Sequence, residues 1–169
     1  MRIALVLIAI ALACVAAGSA PAATPPRLAT VDCDDAARAT AQPAGRLYGA
    51  RLGLSWGTRA RKLVLQQNAR YPFVSKLPVF IRAGGLPFTI RIAASWHRAG
   101  GMAWDNRGDA NPAIARGVRV LPCPGGDGQT VWLAYPGAFY VARPACLPIV
   151  ITIGGRRYTA RVPLGRACP

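Results

Sequence analysis

The chain of 169 residues contains no glutamate and only one histidine, His97, and its six acids are all aspartate. Paired carboxylates for glycoside hydrolysis are therefore hard to find, because only Asp105, Asp109 and Asp127 lie beyond residue 35. The ligand spacing of a zinc site is also missing, since no two cysteines have C-x-x-C spacing. We predict a protein without catalytic activity, metal or cofactor.

Long uninterrupted helices are also excluded by composition. Eighteen glycines and fifteen prolines would interrupt nearly every helical stretch. Disorder is disfavoured too, because 53% of the residues are hydrophobic and only 16% are charged. What remains is a single small domain of short strands and turns.

The N-terminus has the pattern of a secretory signal peptide. Arg2 precedes fifteen uncharged residues, 3–17, and small residues follow. This apolar run is shorter than the ~20 residues that a membrane-spanning helix prefers. We predict a signal peptide over residues 1–22, cleaved near Ala22, and a secreted protein with no span in its mature chain. An uncleaved signal anchor and a lipoprotein modified at Cys14 are the alternatives.

The rest of the chain divides near residue 45. Residues 23–45 are rich in Ala, Pro and Thr and are predicted to be an irregular arm, with one short helical turn within residues 34–41. Residues 46–169 alternate apolar and polar positions, which is typical of half-buried strands. Seven to nine short strands without repeated helices predict an all-β fold, an antiparallel β-sandwich that is immunoglobulin-like in general architecture. Residues 96–115 form the longest stretch without a clear period.

The clearest element is a hairpin around Gly154 and Gly155, which supply the positive φ angles of a type I′ turn. Pairing outward from this turn sets Ile149 opposite Ala160 and Leu147 opposite Val162. One face of the hairpin is then apolar and the other polar, so we expect the first in the core and the second in water.

Four cysteines remain after signal cleavage, and an even number in an exported domain indicates two disulfides. They are Cys33, Cys123, Cys146 and Cys168. Three pairings are open. We favour Cys123–Cys146, which would join two strands across a hairpin, together with Cys33–Cys168, which would tie the arm to the C-terminus.

Several stretches of this chain form a recognisable series. They are Val-Arg-Val-Leu-Pro-Cys at 118–123, Tyr-Pro-Gly-Ala-Phe-Tyr-Val at 135–141, and Gly-Arg-Ala-Cys at 165–168, together with the signal peptide and the cysteine before the strand at 147. Over about residues 45–168 the chain resembles small exported β-rich proteins of actinobacteria. The resemblance implies secretion and a β-rich fold, and it carries no catalytic residues.

The remaining chemical motifs have simple structural interpretations. Ser95 and His97 would share one face of a strand, but no G-x-S-x-G motif surrounds the serine, so we interpret His97 as a surface histidine. The oxygen ligands within residues 105–111 do not match an EF-hand loop and favour Asx turns over a calcium site. Residues 124–128 lack the Lys-Ser/Thr of a phosphate loop and are predicted to form a hairpin turn.

Positive charge is the feature of the sequence that says most about function, because the formal net charge is +15. Six arginines occupy the outward positions of predicted strands: Arg51, Arg82, Arg91, Arg119, Arg157 and Arg161. If several share one sheet, they would attract polyanions. This predicts a secreted, non-catalytic module that binds anionic cell-envelope polymers; intracellular nucleic acid is disfavoured. The alternatives are an exported protein-binding module, such as a protease inhibitor that presents loop 96–111 or 122–128, and arginines that only keep the sheet soluble.

Overall fold

The computed structural model describes residues 28–39, 42–56, 59–104, 114–124 and 131–169. Within these ranges the chain forms fourteen β-strands, two short 3₁₀ helices at Cys33–Asp35 and Ala94–Trp96, and no α-helix. The strands make three sheets, and every pairing between neighbouring strands but one is antiparallel. The all-β sandwich prediction is confirmed, with more strands than expected. The predicted signal peptide lies outside the described residues.

Three sheets surround one core. Sheet A contains, in spatial order, β1 (Ala29–Val31), β10 (Gly117–Val120), β8 (Phe88–Ile92), β13 (Ala145–Ile153) and β14 (Arg156–Leu164). Sheet B contains β2 (Ala37–Ala39), β11 (Trp132–Tyr135), β7 (Val79–Arg82), β4 (Leu52–Leu54) and β3 (Arg46–Tyr48). Sheet C contains β5 (Val64–Leu65), β6 (Phe73–Lys76), β12 (Ala138–Val141) and β9 (Gly100–Ala103).

The hydrophobic core takes side chains from all three sheets. Ile151 of sheet A, Ile81 of sheet B and Phe139 of sheet C are each fully buried in the same cluster. The Tyr48 and Tyr158 rings meet edge to face at 5.8 Å and join the edges of sheets B and A. On sheet C a second, smaller cluster of Tyr71, Ala103, Ala138 and Tyr140 buries the other side of β9 and β12 as well.

The long C-terminal hairpin has the predicted register. Ile149 pairs with Ala160 and Leu147 with Val162 across β13 and β14. Gly154 and Gly155 have φ angles of 53° and 78°, which glycine adopts without the strain that a Cβ would bring. Burial alternates along all nine residues of β13, so the predicted division into a core face and a solvent-facing side is confirmed.

The N-terminal arm is more ordered than its composition predicted. Strand β1 pairs in parallel with β10, and β2 pairs with β11 at the edge of sheet B. Between them the expected helical turn is shortened to the 3₁₀ helix Cys33–Asp35. A capping box between Asp32 and Asp35 stabilises the N-terminus of this helix. Tertiary pairing overrides the helical propensity of this segment, because each strand completes an existing sheet.

The favoured disulfide pairing was wrong. Cys33 is bonded to Cys123, and Cys146 to Cys168. Two structural features explain the first bond: β1 runs parallel to β10, and the Leu121 N–H donates to the Val31 carbonyl, so the cysteines that follow both strands meet.

The second disulfide follows from the end of β14. Cys146 lies opposite Pro163 in the β13–β14 ladder. The chain then turns at Gly165, whose φ is 65°, and returns Cys168 to the neighbouring strand. Both bonds therefore join segments that the sheets already place side by side. The favoured Cys123–Cys146 bond would instead have joined the two ends of the 123–146 segment.

Candidate functional site

The outer surface of sheet A brings together four of the six singled-out arginines. Arg91 lies on β8, Arg119 on β10, and Arg157 and Arg161 on β14. Their positions alternate with core residues such as Ile90, so their side chains leave the sheet on the side away from the core. We call this surface of β8, β10, β13 and β14 the arginine face.

The strand register places these arginines in rows. Arg119 lies opposite Thr89, Thr89 opposite Thr152, and Thr152 opposite Arg157. This row crosses three strand spacings, so its two guanidinium-bearing positions are about 14 Å apart at ~4.8 Å per spacing. Arg91 lies two residues along β8, in the next row. Cations separated by threonine hydroxyls suit a ligand that presents several anionic groups along its length.

A groove lies beside the arginine face. Its volume is about 370 Å³, and Arg91, Arg157 and Arg116 line it, the last from the segment just before β10. His97 lines the same groove, and its Nε2 lies 3.0 Å from the Ile92 carbonyl oxygen. The groove therefore gathers three guanidinium groups around one concave surface.

A larger cleft follows edge strand β14, where sheet A approaches β3 and β4 of sheet B. Its volume is about 820 Å³, and Arg46, Arg157 and Arg161 line it together with Tyr48 and Trp56. Arg157 borders both the groove and the cleft. Arg157 thus connects the arginines of the groove with those of the cleft.

The aromatic wall of the cleft is held rigidly. The Arg46 guanidinium carbon lies 5.3 Å from the centre of the Tyr48 ring, and the Tyr158 ring packs against the same tyrosine. Burial raises the pKa of the Tyr48 hydroxyl, and the charge of Arg46 opposes that rise. Tyr48 therefore remains a neutral hydrogen-bonding group at physiological pH.

The described residues place few carboxylates near the arginine face. Across the described ranges, side-chain carboxylates occur only at Asp32, Asp34 and Asp35, beside the first disulfide. None of the four arginines of the face forms an ion pair with a described residue. The arginines of the face are thus not paired with these aspartates, although Asp32 lies two residues beyond Thr30, which is opposite Arg119.

The other two arginines of the predicted set lie elsewhere. Arg82 is an exposed residue at the end of β7 in sheet B, and Arg51 lies in the turn before β4. The Arg51 Nη1 donates to the Gly84 carbonyl at 3.4 Å, and the Arg82 N–H donates to the Arg51 carbonyl. They form a separate pair on sheet B.

The serine and histidine considered for catalysis are not arranged as a nucleophile and base. Ser95 lies in the 3₁₀ helix Ala94–Trp96 instead of a strand and is exposed. His97 is half-buried, and the hydrogen bond recorded for its ring is to the Ile92 backbone. Among the residues that the structure describes, no hydrogen bond joins Ser95 to His97.

The loops predicted for ion or protein binding fall largely outside the described residues. This applies to the oxygen cluster at 105–111 and to residues 125–128. The described part of the 96–115 segment is not a loop throughout, because β9 occupies Gly100–Ala103 and all four of its residues are buried. Among described residues, no group of three His, Cys, Asp or Glu side chains could hold a metal ion.

Sequence reasoning missed Arg46 and Arg116. Neither lies at an outward position inside a predicted strand: Arg46 begins β3, and Arg116 precedes β10. Only the folded chain brings them beside Arg157 and Arg91. Their common signal was weak, since each is an arginine at the very start of a strand or just before one, in a chain rich in arginine.

Comparisons with protein-family models, with curated proteins and with solved structures find no match. None of the helices in the described ranges has the length and apolar character needed to cross a membrane.

Proposed function

We propose that the protein is a secreted, non-catalytic module that attaches to anionic polymers of the cell envelope through the arginine face. One observation carries this proposal. Arg157 borders both the groove and the cleft, so the cations on either side of it form one continuous surface. An extended polyanion could contact Arg91 and Arg116 in the groove and Arg161 in the cleft at the same time.

The chemistry of arginine favours phosphate or sulfate groups as ligands. A guanidinium offers five N–H donors in a planar fork and binds such groups in a bidentate manner. Several such contacts on one sheet also raise the local concentration of a polyanion and speed its association. The strand rows keep the backbone positions of these arginines fixed, which limits the ordering cost to the side chains.

Two disulfides support a role outside the cytoplasm. Both Cys33–Cys123 and Cys146–Cys168 are formed, and such bonds persist in oxidising compartments. This supports the predicted secretion.

The test is co-sedimentation of the purified, oxidised protein with cell-envelope material at low and high salt. We expect binding at low salt that falls steeply as salt rises, because phosphate contacts release counterions. The double variant Arg157→Ser/Arg161→Ser should lose most of this binding. No binding of the unmodified protein at low salt would refute the proposal.

The matched control is Arg51→Ser/Arg82→Ser, which removes the same charge from sheet B. We expect this variant to keep most of the binding. Because Arg51 contacts the Gly84 carbonyl, its melting temperature must be compared with that of the unmodified protein. Equal losses in two folded variants would mean that total charge, not the arginine face, determines binding.

A further inference from the structure

The hairpin formed by β5 and β6 exposes an apolar pair at the edge of sheet C. Val64 is 55% exposed and Leu65 is 73% exposed. Large hydrophobic side chains that are this exposed are rare in the described part of the chain; the other is Leu86, at 56%. Because successive side chains of a strand leave it on opposite faces, Val64 and Leu65 flank the free edge of β5, one on each face of sheet C.

The position of β5 explains this exposure. It is the edge strand of sheet C and pairs only with β6, with Val64 opposite Val74 and Leu65 opposite Phe73. The preceding Leu63 packs against the core, and Arg61 is tied to the end of β14 through backbone hydrogen bonds with Pro163 and Gly165. The apolar pair therefore projects from a firmly anchored strand.

Cations surround the apolar pair. Between residues 59 and 76 the sequence contains five Lys and Arg and no acid. They are Arg59, Arg61, Lys62, Arg70 and Lys76. Four of them are exposed, whereas Arg61 is half-buried and its Nη2 donates to the Ser55 carbonyl at 3.1 Å, which leaves the four exposed cations for a ligand. We call the segment 59–76 the basic hairpin.

The turn of the basic hairpin is preorganised. The Asn68 Oδ1 accepts hydrogen bonds from the backbone N–H groups of Arg70 and Tyr71, each at 3.0 Å. The Gln66 Nε2 donates to the Tyr71 carbonyl at 2.6 Å, and the Arg70 guanidinium lies over the Tyr71 ring. A surface that is already ordered loses little conformational entropy when it binds.

We propose that the basic hairpin docks on the surface of an anionic lipid bilayer. The free edge of β5 meets the bilayer, so that Val64 on one side of the strand and Leu65 on the other reach the boundary between headgroups and acyl chains, and the exposed Lys and Arg side chains contact the anionic headgroups. This inference stands on a different surface from the arginine face and does not depend on the proposed function.

Three other occupants fit the basic hairpin less well. A partner strand would gain few hydrogen bonds, because β5 has only two residues. A second copy of the chain docked symmetrically would bring the same four exposed cations face to face, which opposes association. A soluble polyanion would leave the apolar pair unused. An anionic bilayer uses both the charge and the apolar pair.

The test is co-sedimentation of the oxidised protein with vesicles. Vesicles that contain phosphatidylglycerol are compared with vesicles of phosphatidylcholine alone. We expect binding only to the anionic vesicles, and the variant Val64→Ser/Leu65→Ser should weaken it by about tenfold through lost apolar burial. The matched control Leu86→Ser removes a similarly exposed side chain at another site and should bind as the unmodified protein does.

Further readouts separate the possible outcomes. Arg157→Ser/Arg161→Ser should retain most of the vesicle binding, which distinguishes this surface from the arginine face. Failure to bind anionic vesicles, or binding that Val64→Ser/Leu65→Ser leaves unchanged, would overturn the proposal. A concentration-dependent dimer in gel filtration that the same variant dissociates would also overturn it, in favour of a second copy as the occupant.

Discussion

Among the ionisable groups of the described residues, tyrosine hydroxyls are those whose pKa the fold changes most clearly. Tyr135 is fully buried in the core, and its hydroxyl lies 3.6 Å from the Sγ of Cys123. Burial is the main reason why the pKa of Tyr135 is raised above 10.0, and the nearby carboxylates of Asp32 and Asp35 add to the rise. A hydrogen bond from the Cys123 backbone acts in the opposite direction.

The raised pKa of Tyr135 predicts a loss of stability at alkaline pH. Above about pH 10 the unfolded chain releases the tyrosine proton and the folded chain keeps it, so the free energy of unfolding decreases as pH rises. Tyr135→Phe should make this decrease less steep. The measurement is denaturant unfolding at several pH values from neutrality to pH 11. An unchanged slope for Tyr135→Phe would contradict the assignment; Tyr48→Phe should reduce the slope further.

At the scale of elements, what sequence reasoning predicted depends on how local the pairing is. The β13–β14 hairpin was predicted correctly because its turn and its alternation lie within one continuous segment. Strand β9 was missed because all four of its residues are buried. A strand is recognised in a sequence by the alternation of apolar and polar residues, and a strand buried on both faces does not show it. Strands β1 and β2 have three residues each and form only by joining distant strands.

The contact between Gly137 and Trp104 is another non-local feature of these elements. A Cβ at Gly137 would lie 1.5 Å from the Trp104 Cδ1, so only glycine lets the indole ring pack there. The same tryptophan donates its Nε1–H to the Leu77 carbonyl, and the Leu77 N–H donates to the Gly137 carbonyl. This close approach fixes the connection between β11 and β12.

Gly137→Ala should therefore destabilise the protein by about 1–3 kcal/mol, the usual cost of overpacking a dense core. Denaturant unfolding measures the change. In a Trp104→Leu background the same substitution should cost less, because the smaller side chain leaves room for the added methyl group. Equal costs in both backgrounds would show that the glycine is required for another reason.

At the scale of the whole molecule, the sheets determine the disulfide pairing. The sequence left three pairings open, and the favoured one was wrong because the parallel pairing of β1 with β10 has no local signal. The arginine face was likewise predicted only in part. Outward parity identified Arg91, Arg119, Arg157 and Arg161, but only the sheet order separates them from Arg51 and Arg82.

Peptide mapping of the non-reduced protein tests the pairing. Trypsin alone leaves Cys123 and Cys146 on one peptide, because Arg143 precedes Pro144 and trypsin does not cleave that bond. Additional digestion with chymotrypsin cleaves at aromatic residues between the two cysteines. We expect the Cys33 peptide linked to the Cys123 peptide and the Cys168 peptide linked to the Cys146 peptide. A Cys33–Cys168 peptide would contradict the pairing.

The salt dependence of binding to a defined polyanion tests the arginine face most directly. We would measure the affinity of the oxidised protein for polyphosphate over a range of salt concentrations and compare the two double-arginine variants. Arg157→Ser/Arg161→Ser should reduce the slope of log affinity against log salt by about 1.4, at ~0.7 for each lost phosphate contact. Arg51→Ser/Arg82→Ser should leave the slope close to that of the unmodified protein. The same slope for both variants would contradict the arginine face as the binding surface.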